Sequence, residues 1–482
     1  MTDLNGEVFG IKFLEEDEEY YEMDNPVDIQ GDEELPKLVK EWTTTFGEVS
    51  RNNEFPATLC YFNLLGEIVK DFVHIPYGYT IEDTRFHVVH IQTARSGKSV
   101  LNDFYSQICE KTFEFINATD DTNFDVFDIV DYTDAALVGS TEKVPNPDYG
   151  DEGEPREMEQ QVNGALEGSG IALFDEFEGS GVFKKGAHKE NVVMYFQKLM
   201  NTLTTPGYLI RKKLAHGPII TCDCQRAVWA TSYPPEHLTE VIVTKGVLQR
   251  MFMYVRDVPQ KTLDEMRKTL IHDIGKIKAR HKPQNKYAKA MLTLYNTVKE
   301  RSDSGIEKTQ MIEFVEGIHD LIELEYDNMI RYLSKVPEEV RKIVSLFETN
   351  SLIYITKLAV LCAITETPGR DENEKWKVFP RNVRQATWIV RQGYMSLVAW
   401  MIVALKVRRT SITNDIGLND YIAAFDKVEK KDGWANKALY RVLCETDYNI
   451  SQPKFYRVWP KIEHLFDAKK EGKTALIKIK EE

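Results

Sequence analysis

The chain has 482 residues, 42% of them apolar, and a formal net charge of −15. That length leaves room for two or three domains and a large core, and the composition fits a soluble globular protein rather than a disordered one. The charge argues against a nucleic-acid partner only until its distribution is considered: residues 1–34 hold thirteen Asp/Glu against the single Lys12, so −12 sits there and −3 on the rest.

An acidic run of this kind is a solvated tail, or a mimic of nucleic acid that gates a basic channel. The N-terminus carries no charged-then-apolar leader, so no secretory signal is expected. The longest apolar run, near Met395–Leu405, is too short to span a bilayer. No membrane partner is expected, and the location expected is cytoplasmic, host cytoplasm if the source is viral. The six cysteines are scattered, and Cys222 with Cys224 alone makes poor zinc spacing, so reduced thiols are expected.

In chain order, a first helix is expected over about Glu34–Thr44. A second, Pro56–Phe72, places Leu59, Phe62, Leu65, Ile68, Val69 and Phe72 on one stripe. An α/β region follows, with strands at Phe86–Ile91, Phe124–Val130, Ile171–Phe174, Ala227–Thr231 and Met251–Val255. Helical stretches between them predict a mostly parallel sheet covered on both faces. Gly139–Gln161, rich in Gly, Pro, Asp and Glu, reads as a long exposed loop. From Lys261 to about Arg408 the pattern is helical throughout, and its first part is basic, with nine Lys/Arg against three Asp/Glu over Lys261–Lys289.

A weakly patterned stretch then leads to a compact C-terminal unit from about Lys431. There Asn436–Cys444 is a short helix, Ser451 an N-cap with Pro453 in the first turn, and Phe455–Leu465 a second helix. A basic turn then feeds the strand Ala475–Ile479. Helix, turn, helix and basic β-wing resemble a winged helix, with Lys454, Arg457 and Lys461 on the second helix and Lys469, Lys470 and Lys473 on the wing as DNA contacts; many such units bind proteins instead. The organisation expected is an acidic segment (1–50), a P-loop ATPase core (51–260), a helical lid or bundle (261–410), a linker (411–430) and a winged-helix-like domain (431–482).

The chemistry is carried by three motifs. Phe86–Ile91 runs into Gln92-Thr93-Ala94-Arg95-Ser96-Gly97-Lys98-Ser99, and a helix opens with Val100 and Leu101. Strand, loop and helix ending in G-K-S let the amides from Ala94 to Val100 wrap a phosphate. Lys98 reaches the terminal phosphates and the Ser99 hydroxyl takes Mg²⁺. The position where such loops usually begin with glycine is Gln92. About 75 residues on, Gly170-Ile171-Ala172-Leu173-Phe174-Asp175-Glu176 is a buried strand tipped by carboxylates. That tip is where ligands sit in open α/β sheets, so Asp175 is expected to hold Mg²⁺ and Glu176 to deprotonate the attacking water. The alternative is a pair of solvated acids. Third, Ala227–Pro234 is an apolar strand ending in Thr231 and Ser232, a sensor of the γ-phosphate or an ordinary strand cap. Arg250, just before the last core strand, is a candidate arginine finger or a surface ion-pairing arginine, and Arg256 is the weaker candidate.

The order G-K-S, ALFDEF, a basic hairpin-like segment, WATSYPP and GVLQRMF resembles AAA+ replicative helicases of the minichromosome-maintenance type. It looks closer still to helicase-like ATPases of phages and mobile elements, often fused to primases. The resemblance covers roughly residues 50–405. It implies ATP and Mg²⁺ as cofactors, a homo-oligomeric ring (a hexamer), single-stranded or forked DNA as substrate, and primase or other replication proteins as partners. In that family a hairpin before the sensor strand grips DNA in a pore. Its match here is Tyr208–Pro218 with Ile219–Cys224 returning, and Arg211, Lys212 and Lys213 as the DNA contacts, or a solvated basic turn. Two other readings stay open: a ring ATPase that remodels or loads proteins, and a DNA-binding scaffold whose altered loop no longer hydrolyses ATP.

Overall fold

A computed structural model of the chain describes residues 35–129, 133–145, 157–180, 182, 190–213, 219–234, 246–256, 258, 260–274, 281–333, 338–366, 375–416, 418–431, 433–448, 450, 452–471 and 474–480. The acidic segment 1–34 lies outside them. The chain divides into two compact units, Met1–Trp400 and Met401–Glu482.

The first unit opens with helices α1 (Lys37–Val49) and α2 (Glu54–Val69). A single apolar stripe was expected for the second helix. Instead every residue from Pro56 to Val69 is buried. Its polar side chains are tolerated because each is paired. Asn63 Nδ2 donates to Phe86 O (2.5 Å) and Val228 O (3.0 Å) and its Oδ1 accepts from Tyr105 (2.6 Å). Glu67 accepts from the backbone amides of Gly170 (2.6 Å) and Ala227 (2.9 Å) and pairs with Lys70 at 2.9 Å. Burial pushes the Glu67 carboxyl up to about 7. These bonds pin α2 to the starts of two sheet strands.

After a small hairpin, β1 (His74–Tyr77) and β2 (Thr80–Asp83), come the five strands of the main sheet: β3 (Val88–Gln92), β4 (Phe124–Asp128), β7 (Ser169–Phe174), β10 (Ala227–Ser232) and β11 (Phe252–Arg256). They lie in the order β11-β3-β10-β7-β4 and every pairing is parallel. This is an α/β core, and all five expected strands are present within two residues of their expected limits. β3 and β10 are buried along their whole length, as strands covered on both faces must be, while edge strand β4 is mostly exposed. Gly170 is obligatory: its φ is +117°, and an added Cβ would stand 1.9 Å from Asp125 O on the neighbouring strand. Helix α3 (Lys98–Thr119) follows β3, and α4 (Asp134–Val138) follows β4.

Three expectations are corrected. The segment Gly139–Gln161, read as a loop, is an antiparallel hairpin of β5 (Gly139–Pro145) and β6 (Glu157–Asn163), its turn 146–156 outside the described residues. All of β6 is exposed, so no apolar alternation marked it as a strand. After β7 come α5 (Glu190–Leu199) and a second hairpin, β8 (Leu209–Lys213) with β9 (Ile219–Asp223), matching the basic hairpin expected there. The region from Lys261 is not helical throughout. Helices α6 (Gln260–Asp273), α7 (His281–Asp303), α8 (Ile318–Leu333), α9 (Glu338–Val344), α10 (Glu348–Glu366) and α11 (Pro380–Ile416) are interrupted by β12 (Ile312–Phe314) and β13 (Trp376–Val378), paired in parallel. Strands of three residues leave too short a pattern to read. Lastly, the stretch 411–430 read as a linker is largely helical, through the end of α11 and α12 (Leu418–Lys427).

Among the described helices one stretch, Val340–Glu366, is long and apolar enough to cross a membrane, and 72% of its apolar window is buried in the fold. It lies outside the Met395–Leu405 run singled out in the sequence.

The second unit comprises α12, α13 (Lys437–Tyr448), α14 (Gln452–Ile462) and a sheet of order β14-β15-β17-β16, formed by β14 (Lys430–Lys431), β15 (Trp434–Asn436), β16 (Phe466–Glu471) and β17 (Thr474–Ile479). Its core gathers Tyr421, Phe425, Tyr440, Phe455, Trp459, Phe466 and Ile477, so α12 belongs to the unit although the expected boundary fell after it. Lys469 and Lys470 lie exposed on β16, with Lys469 over the Trp434 ring at 4.5 Å. Lys454, Arg457 and Lys461 fall on α14, but their side chains, like Ser451 and Lys473 altogether, are outside the described residues.

Candidate nucleotide site

The parallel sheet sends the C-terminal ends of β3, β10 and β7 to one edge, and the residues singled out in three distant motifs meet there. The loop after β3 alternates its backbone hand: Arg95 has φ +63° and Gly97 φ +85°. Positive φ at alternate residues of a loop is a backbone pattern from which anion-binding nests are built. Gly97 caps α3, whose first residue is Lys98. In the loop Ser96 is buried and donates to Thr93 O at 2.7 Å, while Ala94, Arg95, Ser99 and Val100 are exposed.

The Lys98 side chain folds back over the sheet edge. Its Nζ donates to Gln92 O (2.5 Å) and Ser232 O (2.8 Å) and lies 3.8 Å from the centroid of the Tyr233 ring. Desolvation lowers its pKa to about 8, against the raising influence of Glu178, Asp175 and Glu176. Phosphate binding needs the ammonium form. Below pH 8 Lys98 already carries it; above pH 8 a proton must be taken up with the phosphate. If Lys98 contacts a bound nucleotide, the affinity for Mg·ADP is expected to be flat below about pH 7 and to fall by up to tenfold per unit above pH 8. Titrations across pH 6.5–9.5 check this, and a flat profile would remove Lys98 from the phosphates.

Asp175, just past β7, accepts from Thr231 Oγ1 (2.7 Å) and from Asn102 Nδ2 (3.2 Å). Asn102 also donates to Thr231 Oγ1 (2.9 Å) and accepts from Trp229 Nε1 (2.9 Å). Thus β10 and α3 both lock onto the Asp175 carboxylate. Glu176 is exposed and sits in the left-handed region, φ +57° and ψ +47°. Glu178 accepts from Ser232 Oγ (2.8 Å) and from the Tyr233 amide (3.2 Å). Asp128, exposed at the end of β4, has its pKa raised by partial desolvation and by the charge of Asp175. Four carboxylates thus gather at one sheet edge. Among the described residues no three carboxylates, with or without His or Cys, group closely enough to hold a metal ion; Asp175 and Ser99, singled out for Mg²⁺, offer oxygen donors of the type it takes.

Asn102, Glu178 and Tyr233 were not anticipated. Asn102 lies four residues after Lys98, one helical turn on, and a polar residue at that spacing in an apolar helix start was the available signal. Glu178 is one residue beyond the motif that drew attention.

Arg250 is exposed at the other end of the sheet, before β11. Its Nη1 donates to Gln197 O (3.0 Å) and Asn201 Oδ1 (2.9 Å). Arg256 lies in register with Gln92, and its Nη1 holds Asn52 O at 2.6 Å. On β8, Arg211 and Lys213 are exposed, and Lys212 lies 3.8 Å from Asp134. No protein-family model matches this chain, and no curated protein matches it.

Proposed function

We propose that this protein is an ATP-dependent, ring-forming motor acting on DNA, with a P-loop ATPase core and a C-terminal winged helix. The observation that carries the reading is the convergence of Lys98, Asp175 and Thr231 at the C-terminal edge of a parallel sheet in which β10 stands between the loop strand β3 and the acidic strand β7. An inserted strand of this kind, with a glutamate after the aspartate, is the arrangement that places a base and a sensor opposite a phosphate loop.

Each residue has a role in hydrolysis. The amides of residues 94–100 hold the phosphates, and Lys98 exchanges its two carbonyl partners and the Tyr233 face for phosphate oxygens. Mg²⁺, held by Ser99 and Asp175, would offset charge on the terminal phosphates. Glu176 accepts the proton of the attacking water, and Thr231, tied to Asp175, orients that water. Arg250 serves the site of a neighbouring subunit. Catalysis is positioning and charge stabilisation. DNA is held by the β8–β9 hairpin and by the C-terminal unit, whose order of three helices and a basic antiparallel hairpin supports the winged-helix reading. The exposed Leu439 and Val442 on α13 favour a protein partner on that unit, such as primase or another replication protein.

The test pairs nucleotide with DNA. Lys98→Ala is expected to lose Mg·ATP binding. Alanine at Arg211, Lys212 and Lys213, or at Lys469 and Lys470, should lower DNA affinity. Each lost phosphate contact flattens the slope of log affinity against log salt by about 0.9 on duplex or about 0.7 on single strands. The hairpin variant should also lose DNA stimulation of ATP turnover. Wild-type slopes and full stimulation in both variants would leave protein remodelling as the better reading, and unchanged nucleotide affinity in Lys98→Ala would sink the P-loop assignment.

A further inference from the structure

We propose that the turn between α1 and α2 is a rear brace for the phosphate loop, with Ser50 and Asn53 as positioning residues that aim the loop amides at the anion. The inference rests on the ATP-binding reading above and adds residues that no motif includes.

Two loop carbonyls are held from behind. Asn53 Nδ2 donates to Ser96 O at 2.9 Å, and Ser50 Oγ donates to Gly97 O at 2.9 Å. The two braces are tied together, since Asn53 Nδ2 also donates to Ser50 Oγ at 2.9 Å. Both side chains are buried, at 0% and 2% exposure. In a trans peptide the C=O and the N–H of the next residue point in opposite directions. Drawing Ser96 O and Gly97 O toward the turn therefore directs the amides of Gly97 and Lys98 away from it, into the open mouth of the loop. The fit is close: a Cβ at Gly97 would stand 2.8 Å from Ser50 Oγ and 3.1 Å from Asn53 Nδ2.

The turn is itself fixed. Arg256, at the end of β11, donates to Asn52 O at 2.6 Å, and Asn52 adopts φ +62°. Arg51 donates to Thr269 Oγ1 on α6 at 2.9 Å. The brace thus links the loop to the last strand of the sheet and to the helix after it. It stands where the loop departs from the common pattern. Gln92 occupies the usual glycine position, and its buried side chain engages His90 on β3 rather than a loop carbonyl, so it contributes no such support.

The experiment measures Mg·ADP and inorganic pyrophosphate affinity together with the thermal midpoint. Asn53→Ala should weaken both ligands by about tenfold, the effect of losing one or two modest hydrogen bonds. Asn53→Asp should weaken them further, because a carboxylate cannot donate to Ser96 O and adds negative charge behind the loop. Ser50→Ala should weaken both ligands, and Ser50→Thr, which keeps the hydroxyl, should restore them. A merely structural role would lower the thermal midpoint of Ser50→Ala without changing affinity in the folded protein. If the wild type binds Mg·ADP and both alanine variants bind it equally well, the brace is wrong and the nucleotide reading stands. If the wild type binds neither ligand, both fall. Should Asn53→Ala fail to fold, the Ser50→Ala and Ser50→Thr pair decides alone.

Discussion

Glu176→Gln is expected to keep Mg·ATP binding and to lose turnover by about 10²–10⁴-fold, the range for removing a general base. The amide keeps the shape of the side chain and loses only the capacity to take a proton. Glu176 is held at φ +57°, a backbone region that costs a non-glycine residue about 1–2 kcal/mol. Strain of this kind persists where the surroundings impose it, often at functional positions. Glu178 is the rival. It already accepts from Ser232 Oγ and the Tyr233 amide, so its carboxylate is engaged in holding the end of β10. Glu178→Gln retains an acceptor oxygen for those donors and should keep turnover within about tenfold of wild type. Single-turnover hydrolysis and nucleotide titration on both variants decide between them. If the effects are exchanged, Glu178 is the base. If neither variant slows, no glutamate at this edge acts as one.

Four of the five sheet strands were legible because each is a mostly apolar run, as parallel strands buried on both faces must be, and edge strand β4 by its alternation of apolar and acidic residues. Their parallel direction followed from the helical stretches between them. That the Lys98 loop and Asp175-Glu176 fall at the ends of such strands was legible too, because each directly follows its strand in sequence. What was not legible depends on contacts between distant residues. Nothing in the spacing of Asn102 and Thr231 says that they meet at 2.9 Å, nor that Asn53 reaches Ser96. The β5–β6 hairpin was missed for a different cause. Its strands are exposed and rich in Glu and Gln, so they lack the apolar alternation that identifies a strand. The burial of α2 on all sides was hidden by Thr58, Asn63 and Glu67, polar residues whose partners lie on α1, on sheet strands and at Lys70 just past the helix.

Arg250→Ala is expected to cut ATP turnover by about 10³-fold or more while leaving nucleotide affinity nearly unchanged. In the proposed ring the effect would come from a neighbouring subunit, because the parallel sheet sets Arg250 far from its own chain's loop. Arg250 precedes β11, whereas Lys98 follows β3, and the two strands run side by side with Phe252 opposite Val88 and Arg256 opposite Gln92. The arginine therefore lies at the opposite edge of the sheet from its own chain's phosphate loop, about 16 Å away by a five-residue strand at about 3.3 Å per residue. It is also held in place. The turn Leu248–Arg250 follows Gly246 at φ +63°, and Tyr354 on α10 donates to Arg250 O at 2.6 Å. A guanidinium fixed on the surface, remote from its own site, suits action on the next subunit's nucleotide. Mixing decides it. Arg250→Ala subunits keep an intact loop, and Lys98→Ala subunits, inactive alone, still offer Arg250. Turnover of the mixture should exceed that of either variant by itself and should depend on their ratio, with its maximum in mixed rings. A mixture no more active than its parts, or a single variant that hydrolyses ATP normally, would exclude an active site shared between subunits.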